Sequence, residues 1–574
     1  MVSVLRKNKS MLLPSAANTR NSAVSGRRRS MSGTSGWPIR LSVVALTVFV
    51  AAPLRCFPQR NPGPSTVSGR VLDASDSRPV EGAFVMVEPE QVAQPDIVGT
   101  STGPDGRFSV SGAPARRYHV TVQKKGYATT AKSFGRSQSG QEGLASPVES
   151  VDIRIMRYAV VAGRITDTRN EPLADATVHV LRMRREGRRT VLSTVNHATT
   201  NDLGEYRIFG LEPGRYYVGA FYQDAASGFG LRHRAAGPGT GPSEMVTEDY
   251  TVTYYPGTPD PETATVVRLR PGQPASGVDL QVGLVRSFRV GGTAAGAPPG
   301  TSVHIMLRPL EPGGLGALRM ATPSLTDGRF LFRSVPPGMH VLRADVTAGG
   351  QVLSARQEIS VGSNIEDIPL ELRAPFSVSG SVSVEGGQRL PAGCMLTLRG
   401  TDRPLRVPII PDPDGHFRTA ALVPDKYIVE LSDESGSTFL KSATLDDRAV
   451  GAAGADIGEP NHNLHILVSQ TAGVVQGVAT DSEQHPVALG VAVLVGAEAP
   501  DPASYAAAIG SDGRFKFQSL PPGKYKLQCF SDLSGTADAT WDILAKVKTQ
   551  GSDVSIAGGD TQNLTLPITQ ADPQ

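Results

Sequence analysis

The sequence contains few cysteine, tryptophan and other aromatic residues. Among 574 residues there are 3 cysteines and 2 tryptophans, and aromatic residues make up 6% of the chain. Cys56 lies in the N-terminal segment, whereas Cys394 and Cys529 fall in different repeat units, described below. This excludes the disulfide framework that many small secreted domains use, and it predicts that Cys394 and Cys529 are buried free thiols.

Motifs for common enzyme chemistry are also missing. None of the 10 histidines stands in an H-x-x-E or H-E-x-x-H arrangement, and there is no G-x-S-x-G, Walker or dinucleotide-binding fingerprint. His462 and His465 lie three residues apart in a predicted strand, where such side chains face opposite sides. A calcium loop at 412–415 would need further acidic ligands, so a plain turn is favoured there. We therefore predict no enzyme activity, no metal and no cofactor.

Positive charge is concentrated at the N-terminus. Residues 1–60 hold ten Lys or Arg and no Asp or Glu, and the rest of the chain holds 47 basic against 54 acidic residues. This distribution argues against a nucleic-acid partner. The basic stretch precedes an apolar run at 41–52, which suits a signal peptide and is too short to span a bilayer. We predict export to the periplasm, cell surface or exterior, with membrane contact only through the leader. Cleavage, lipidation at Cys56 and a start at Met31 remain open.

What the chain has in quantity is glycine and proline, arranged in a repeat. The block GPDGRFSVSGAPARRYHVTV at 103–122 returns in related form at 201–220, 326–344, 412–431 and 511–529. Each block combines a turn that contains Asp and Gly, an alternating strand, a second turn that contains Pro and a second alternating strand, and in the second, third and fifth units a Gly follows this Pro. An opening signature such as VSGRVLDASDSRPVEGAFVMVEP precedes the block, and a short closing strand follows it.

Six or seven short strands in about 90 residues are typical of an antiparallel sandwich. The predicted fold class is all-β, with about five tandem small Ig-like β-sandwich modules after an N-terminal signal segment. The second unit carries a loop insertion from about residue 224, and no segment after the leader predicts a long amphipathic helix. The predicted units are a leader at 1–60 and sandwiches at 66–156, 157–285, 286–373, 374–469 and 470–569.

At these motifs the chain resembles the carboxypeptidase regulatory-like domain. The resemblance rests on G-x-V followed by P-[LV]-x-x-A-x-V-x-V and then D-G-x-[FY] and L-x-P-G-x-Y, and it is clearest in the first, second and fifth units. It implies a prealbumin-like β-sandwich grouped with carbohydrate-binding-like folds, in exported bacterial proteins with several copies. The domain accompanies some zinc carboxypeptidases and implies no peptidase activity by itself.

Two functions remain open from the sequence. The first is a non-enzymatic exported protein for adhesion, scaffolding or ligand display at the cell envelope, with its modules arranged as an extended rod. The alternative is carbohydrate binding, for which Tyr254, Tyr255 and Trp541 are the candidate ligand-binding aromatic residues. Trp541 could equally belong to a core, and strand packing is favoured over a sugar platform for Tyr254 and Tyr255. The partner is a protein or a glycan that the sequence does not identify.

Overall fold

The computed structural model describes residues 65–571, apart from gaps at 90–97, 114–117, 135–148, 187–188, 224–247, 311–314, 317, 322, 324–326, 388, 452 and 498–502. The predicted leader, Cys56 and most of the predicted insertion lie outside the described residues. The chain divides into two units, Met1–Asn61 and Pro62–Gln574, and every described residue belongs to the second. Within this described part, no helix is long and apolar enough to cross a membrane.

The described chain is built almost entirely from short strands, which confirms the predicted all-β fold class. Module 1 contains β1 Ser65–Asp73, β2 Phe84–Pro89, β3 Val98–Ser101, β4 Arg107–Ala113, β5 Tyr118–Gln123, β6 Thr130–Phe134 and β7 Glu149–Ile155. Module 2 contains β8 Ala159–Thr166, β9 Thr177–Glu186, β10 Arg189–Thr199, β11 Glu205–Leu211, β12 Gly214–Phe221, β13 Glu248–Tyr250, β14 Thr253–Tyr254, β15 Val267–Leu269, β16 Pro274–Ala275, β17 Leu280–Gln281 and β18 Leu284–Arg286.

The remaining strands form three further sets. Module 3 contains β19 Phe288–Ala295, β20 His304–Pro309, β21 Arg319–Ala321, β22 Arg329–Val335, β23 Gly338–Ala348, β24 Gln351–Val361 and β25 Ile365–Glu371. Module 4 contains β26 Ser379–Val384, β27 Cys394–Gly400, β28 Arg406–Ile409, β29 His416–Arg418, β30 Asp425–Asp433, β31 Phe439–Leu445, β32 Arg448–Ala449, β33 Ala455–Ile457 and β34 Asn463–Ser469. Module 5 contains β35 Gly473–Thr480, β36 Val491–Gly496, β37 Ser504–Ala508, β38 Arg514–Leu520, β39 Gly523–Phe530, α1 Trp541–Gln550, β40 Ser552–Ile556 and β41 Thr561–Thr569.

Two facing sheets enclose each apolar core. In module 1 the two sheets have the strand orders β4-β1-β7 and β3-β2-β5-β6. Module 3 repeats this division with β22-β19-β25 and β21-β20-β23-β24. Module 4 does so with β29-β26-β34-β31-β32 and β28-β27-β30-β33. Module 2 pairs β10-β9-β12-β14 with β11-β8-β16. In module 5 the corresponding strands join through β41 into the order β37-β36-β39-β41-β35-β38. The exact limits at which one module ends and the next begins remain a prediction.

Each opening strand contains one glycine that its pairing with the closing strand requires. The opening strand pairs antiparallel with the strand after the Asp-Gly turn and parallel with the closing strand, as β1 does with β4 and β7. A Cβ on this glycine would lie 1.9 to 2.2 Å from a carbonyl oxygen at the closing strand, so no side chain fits there. The five positions are Gly69, Gly163, Gly292, Gly380 and Gly477.

The first predicted turn of each block is confirmed, and one helix was not predicted. All five glycines that follow the turn aspartates have positive φ, for example 78° at Gly513. Asp425, which replaces the second turn glycine in module 4, is not among the residues with positive φ. Helix α1 buries Ile543 and Val547 at the i, i+4 spacing against the outer face of the module 5 sheet. It ends at Gln550 with Gly551 as its C-cap, and ten residues are too few to give a strong periodic signal in the sequence.

Candidate functional site: the interfaces between modules

Module 2 has an apolar surface on the side of its sheet that faces away from its own core. We call this the outer face of module 2, formed by Leu181, Met183, Leu192, Tyr217, Val252 and Tyr254. In β12, all residues from Arg215 to Ala220 are buried, so this strand is covered on both sides. Tyr216 points into the module 2 core and Tyr217 points to the outer face, because neighbouring side chains of a strand alternate.

Segments from modules 3 and 5 cover this outer face. Leu315 of module 3 is 1% exposed, and a Cβ on Gly219 would lie 2.6 Å from its Cδ1 atom. The Trp541 ring of module 5 lies 5.1 Å from the Tyr217 ring, and the Trp541 backbone N–H donates to the Tyr217 hydroxyl over 3.2 Å. Burial raises the pKa of Tyr217. Modules 2, 3 and 5 therefore share one apolar cluster.

Asp538 is the polar centre of the module 2–5 interface. This carboxylate is 1% exposed and accepts hydrogen bonds from Arg182 Nη2 over 3.0 Å and from the Arg215 backbone N–H over 2.9 Å. It also accepts from the Ser534 backbone N–H and hydroxyl of its own module. The Arg215 guanidinium, itself buried, donates to the Thr540 hydroxyl over 3.1 Å and to the Asp542 carboxylate. A buried carboxylate needs such donors, since an unpaired buried charge is costly.

The module 2–3 interface combines an ion pair with a buried histidine. Asp249 of module 2 pairs with Arg319 of module 3 at 2.6 Å and accepts from the Ser334 hydroxyl over 3.1 Å. Nearby, a cavity of about 30 Å³ is lined by residues of both modules, including His340. His340 is 2% exposed, and its Nε2 atom has no hydrogen-bond partner. Burial, with a further contribution from Arg319, lowers the pKa of His340 from 6.5 to about 4.

The module 3–4 interface is dominated by charged side chains. Arg356 of module 3 pairs with Asp402 at 2.5 Å and with Asp456, both of module 4. Further pairs cross between the modules, including those from Arg308 to Asp402 and from Arg403 to Asp345. Asp425 is 1% exposed among these groups, and burial together with the neighbouring Asp402 charge raises its pKa to about 6.

The contacts between modules form a closed set. Module 4 meets module 5 where the Ser519 backbone N–H donates to the Gly436 carbonyl over 3.1 Å. Module 5 in turn meets module 2 through Asp538, 323 residues along the chain from Arg215. Modules 2, 3, 4 and 5 are therefore each in contact with two others of this group. The prediction of an extended rod is wrong for these four modules, because the apolar outer face of module 2 is buried against modules 3 and 5.

The structure separates the three aromatic residues predicted to bind a ligand. Tyr254 is 0% exposed in the outer-face cluster, so it cannot offer a ring to a sugar, and that prediction is corrected. Tyr255 is half-buried against the module 2 core, and its backbone N–H donates to the Val218 carbonyl. Trp541 is half-buried against Tyr217. Ligand binding by Tyr255 or Trp541 stays a prediction.

The other candidates from the sequence have structural partners. His462 bonds Asp446, whereas His465 bonds Ser381 Oγ over 2.8 Å. Asp412 accepts backbone N–H bonds within its own turn. Across the described ranges, no group of three or more His, Cys, Asp or Glu residues is arranged to hold a metal ion. Both described cysteines are free; burial raises the pKa of Cys529 to about 12, and Cys394 is only half-buried.

Sequence reasoning missed Asp538, Arg182 and Arg215. A signal was present in β12, where Arg-Tyr-Tyr-Val breaks the expected alternation of polar and apolar residues. Such a strand indicates burial on both faces. It does not indicate which other segment of the chain packs against the second face of the strand.

Comparison with known proteins identifies the modules at the start of the described chain. The family model of the carboxypeptidase regulatory-like domain matches residues 66–145 and 160–238. Each of the first two modules is similar to this domain over its matched residues. Both matches cover the opening strand with its essential glycine and the Asp-Gly turn. Modules 3 to 5 lie outside the matched residues, and no curated protein sequence matches the chain.

Several solved structures show a distant likeness to this chain. A streptococcal ancillary pilin is 11% identical, with coverage of 49% of this chain and 99% of the pilin and a TM-score of 0.18. The minor pilin of Streptococcus agalactiae is 12% identical, with coverage of 41% and 99% and a TM-score of 0.21. The shaft pilin of Lactobacillus rhamnosus GG is 11% identical, with coverage of 41% and 100% and a TM-score of 0.18.

Proposed function

We propose that this chain is a non-enzymatic, exported scaffold protein that presents binding surfaces at the cell envelope. The observation that carries the proposal is the burial of the module 2 outer face by modules 3 and 5. Large apolar contacts of this kind hold modules in a defined arrangement, whereas weakly packed modules move relative to each other by default. A scaffold or adhesive protein benefits from such an arrangement because the surfaces it presents keep fixed positions.

The location of the shifted pKa values supports a structural role for the charged groups. Catalytic sites bring groups with perturbed pKa values together at a cavity that can hold a substrate. Here His340 faces a cavity of about 30 Å³, which has room for about one or two water molecules. Asp425 lies within the ion pairs of the module 3–4 interface, and Cys529 lies within the module 5 core. These groups are explained by packing and ion pairing.

Export and scaffolding can be tested together in the native cell. The gene would be deleted and then complemented with the full chain or with a variant that lacks residues 1–60. We expect the full chain in the envelope or extracellular fraction, with surface attachment restored, and the shortened variant in the cytoplasm without restoration. A full-length chain that stays cytoplasmic, or a purified chain that turns over a substrate, would contradict the proposal.

The contacts between modules can be tested by small-angle scattering on the purified mature chain, meaning the chain without the predicted leader at 1–60. The wild-type chain should have a smaller radius of gyration than a variant whose module 2–5 interface is broken, such as Asp538→Ala. Asp553→Ala is the matched control, because Asp553 is exposed in the same module and bonds only Lys526 across its own sheet. Equal radii of gyration for all three chains would argue against a fixed arrangement of the modules.

A further inference from the structure

Strand β10 lies at an edge of the module 2 sheet and is longer than the matching strands of the other modules. It has 11 residues, and among the described strands only β9 pairs with it. The strands that pair in the same way with the second strand of the other modules are β3, β21, β28 and β37, with 4, 3, 4 and 5 residues. Short edge strands are one means by which proteins prevent pairing with another chain. Module 2 lacks this protection at β10.

The sequence of β10 also lacks the residue types that protect many sheet edges. Residues 190–199, which we call the β10 edge, read TVLSTVNHAT. None of them is Pro, Lys, Arg, Asp or Glu, and five of the ten are the β-branched residues Thr and Val, which favour strands. Charged residues and proline normally discourage the addition of a further strand. The β10 edge is therefore suited to accept one.

A β-bulge lies at the middle of the β10 edge. The register with β9 shifts at Val195, which is 52% exposed and has no opposite residue in β9. Leu192 is opposite Met183 of β9, and His197 is opposite His179. Leu192 and His197 therefore lie on the same face of the sheet, although they are five positions apart and would face opposite sides in a regular strand. The bulge thus makes the two halves of the β10 edge symmetric in the faces of their residues.

We propose that the β10 edge pairs antiparallel with the β10 edge of a second copy of this chain and forms a symmetric dimer. With residue 190 of one copy opposite residue 199 of the other, opposing residues outside the bulge share a face, as antiparallel pairing requires. A bulge can turn an edge away from another strand. Here it lies beside the twofold axis, so both copies bend alike.

The charge of the β10 edge suits a second copy. No Lys, Arg, Asp or Glu lies within residues 190–199, so the two paired stretches bring no like charges of these residues together. Arg189 of one copy lies more than about 30 Å from Arg189 of the other, because the two are at opposite ends of the paired strands. Pairing of the same edge in both copies closes at two copies. The dimer goes beyond the proposed function, since it presents each surface of the scaffold twice and raises avidity for a repetitive target.

The test measures the mass of the mature chain by sedimentation equilibrium over a range of concentrations. We expect a reversible equilibrium between monomer and dimer for the wild type. Val195→Lys and Val195→Glu each place two like charges beside the twofold axis and should weaken dimerisation at least tenfold. An equimolar mixture of these two variants should restore it, because Lys then meets Glu. Leu203→Lys is the matched control, since Leu203 is 53% exposed elsewhere in module 2 and should leave dimerisation unchanged.

A cysteine cross-link tests where the two copies meet. Val195→Cys should give a disulfide-linked dimer under mild oxidation, because the two introduced thiols lie beside the twofold axis. Leu203→Cys, treated in the same way, should give no more linked dimer than the wild type does. Gel electrophoresis without reductant measures both.

Each outcome supports or overturns the proposal. Restoration of the dimer on mixing supports it and shows that both charged variants fold. A chain that stays monomeric up to its solubility limit overturns it, because the edge then serves a strand of another protein or none. Assembly beyond two copies, or dimerisation that survives both charged variants, also overturns it. These measurements do not depend on cell fractionation, so the inference can fail while the export test still succeeds.

Discussion

Modules 1 and 2 match the same family and yet differ in the outer faces of their sheets. In β5 of module 1, buried and partly exposed residues alternate, and only one face is covered by the core. The corresponding strand of module 2, β12, is buried on both faces. On the module 1 outer face, Phe84 is 45% exposed and His119 and Thr121 are partly exposed, whereas Tyr217 of module 2 is 1% exposed. The same strand framework thus serves a self-contained module and a module that depends on its neighbours.

The largest expected difference is in folding of the isolated modules. Residues 65–157 expressed alone should fold cooperatively, because the outer face of module 1 is largely polar and needs no cover. Residues 157–285 alone should bind hydrophobic dyes and aggregate, since the outer face of module 2 would be exposed to water. Circular dichroism melting and dye binding measure both. A soluble, cooperatively melting module 2 with no dye binding would show that the apolar face needs no partner.

The next largest effect is expected at Asp538. Asp538→Ala removes the acceptor for Arg182 and for the Arg215 backbone N–H, and it leaves the largely buried Arg182 guanidinium with only the more distant Glu212 carboxylate, at 3.6 Å. Loss of one partner of a buried pair costs about 3 to 5 kcal/mol in the free energy of unfolding. Denaturant unfolding of the mature chain measures this loss. The control is Asp553→Ala, whose carboxylate is 84% exposed and should change stability by less than about 1 kcal/mol.

A pH-dependent effect is expected at the edge of the same outer face. The pKa of His340 is lowered from 6.5 to about 4 in the folded chain, so the unfolded chain takes up a proton first as the pH falls. The stability contributed by neutral His340 is complete above pH 6.5 and is lost as the pH falls towards 4. The loss amounts to about 3 kcal/mol at most. His340→Gln should remove this dependence when unfolding is compared with wild type across pH 4 to 7, and parallel curves would contradict it.

The smallest expected effect is the difference in stability lost when one aromatic residue is truncated on each outer face. Trp541→Ala should destabilise the mature chain by about 2 kcal/mol, below the cost of truncating a fully buried Trp, because Trp541 is half-buried on Tyr217. Phe84→Ala on module 1 should cost less than about 1 kcal/mol, because that side chain is 45% exposed. A double-mutant cycle with Tyr217→Ala measures the ring contact directly. Equal losses at Trp541 and Phe84 would remove the distinction between the two faces.

The parts of the site that sequence reasoning found and missed have a common explanation. Tyr254 and Tyr255 are adjacent aromatic residues, and in a strand such neighbours face opposite sides. Which side is exposed depends on whether another module covers the outer face, and here Leu315 and Trp541 do so. The sequence identified the aromatic residues without their environment. It contained no sign that Asp538, in the short segment before α1, would bond a strand of module 2.

By itself the sequence determined the strands and turns of each module. Alternation of apolar residues and turns at Asp-Gly and Pro-Gly are local properties, so the class of fold and the repeated blocks followed from short stretches of chain. The opening glycines, such as Gly69 and Gly163, are part of the same pattern because each module closes on itself. Only the tertiary structure decided that modules 2 to 5 contact one another in a closed set. That decision depends on residues such as Arg215 and Asp538, which lie 323 positions apart and are brought together by the burial of an apolar face.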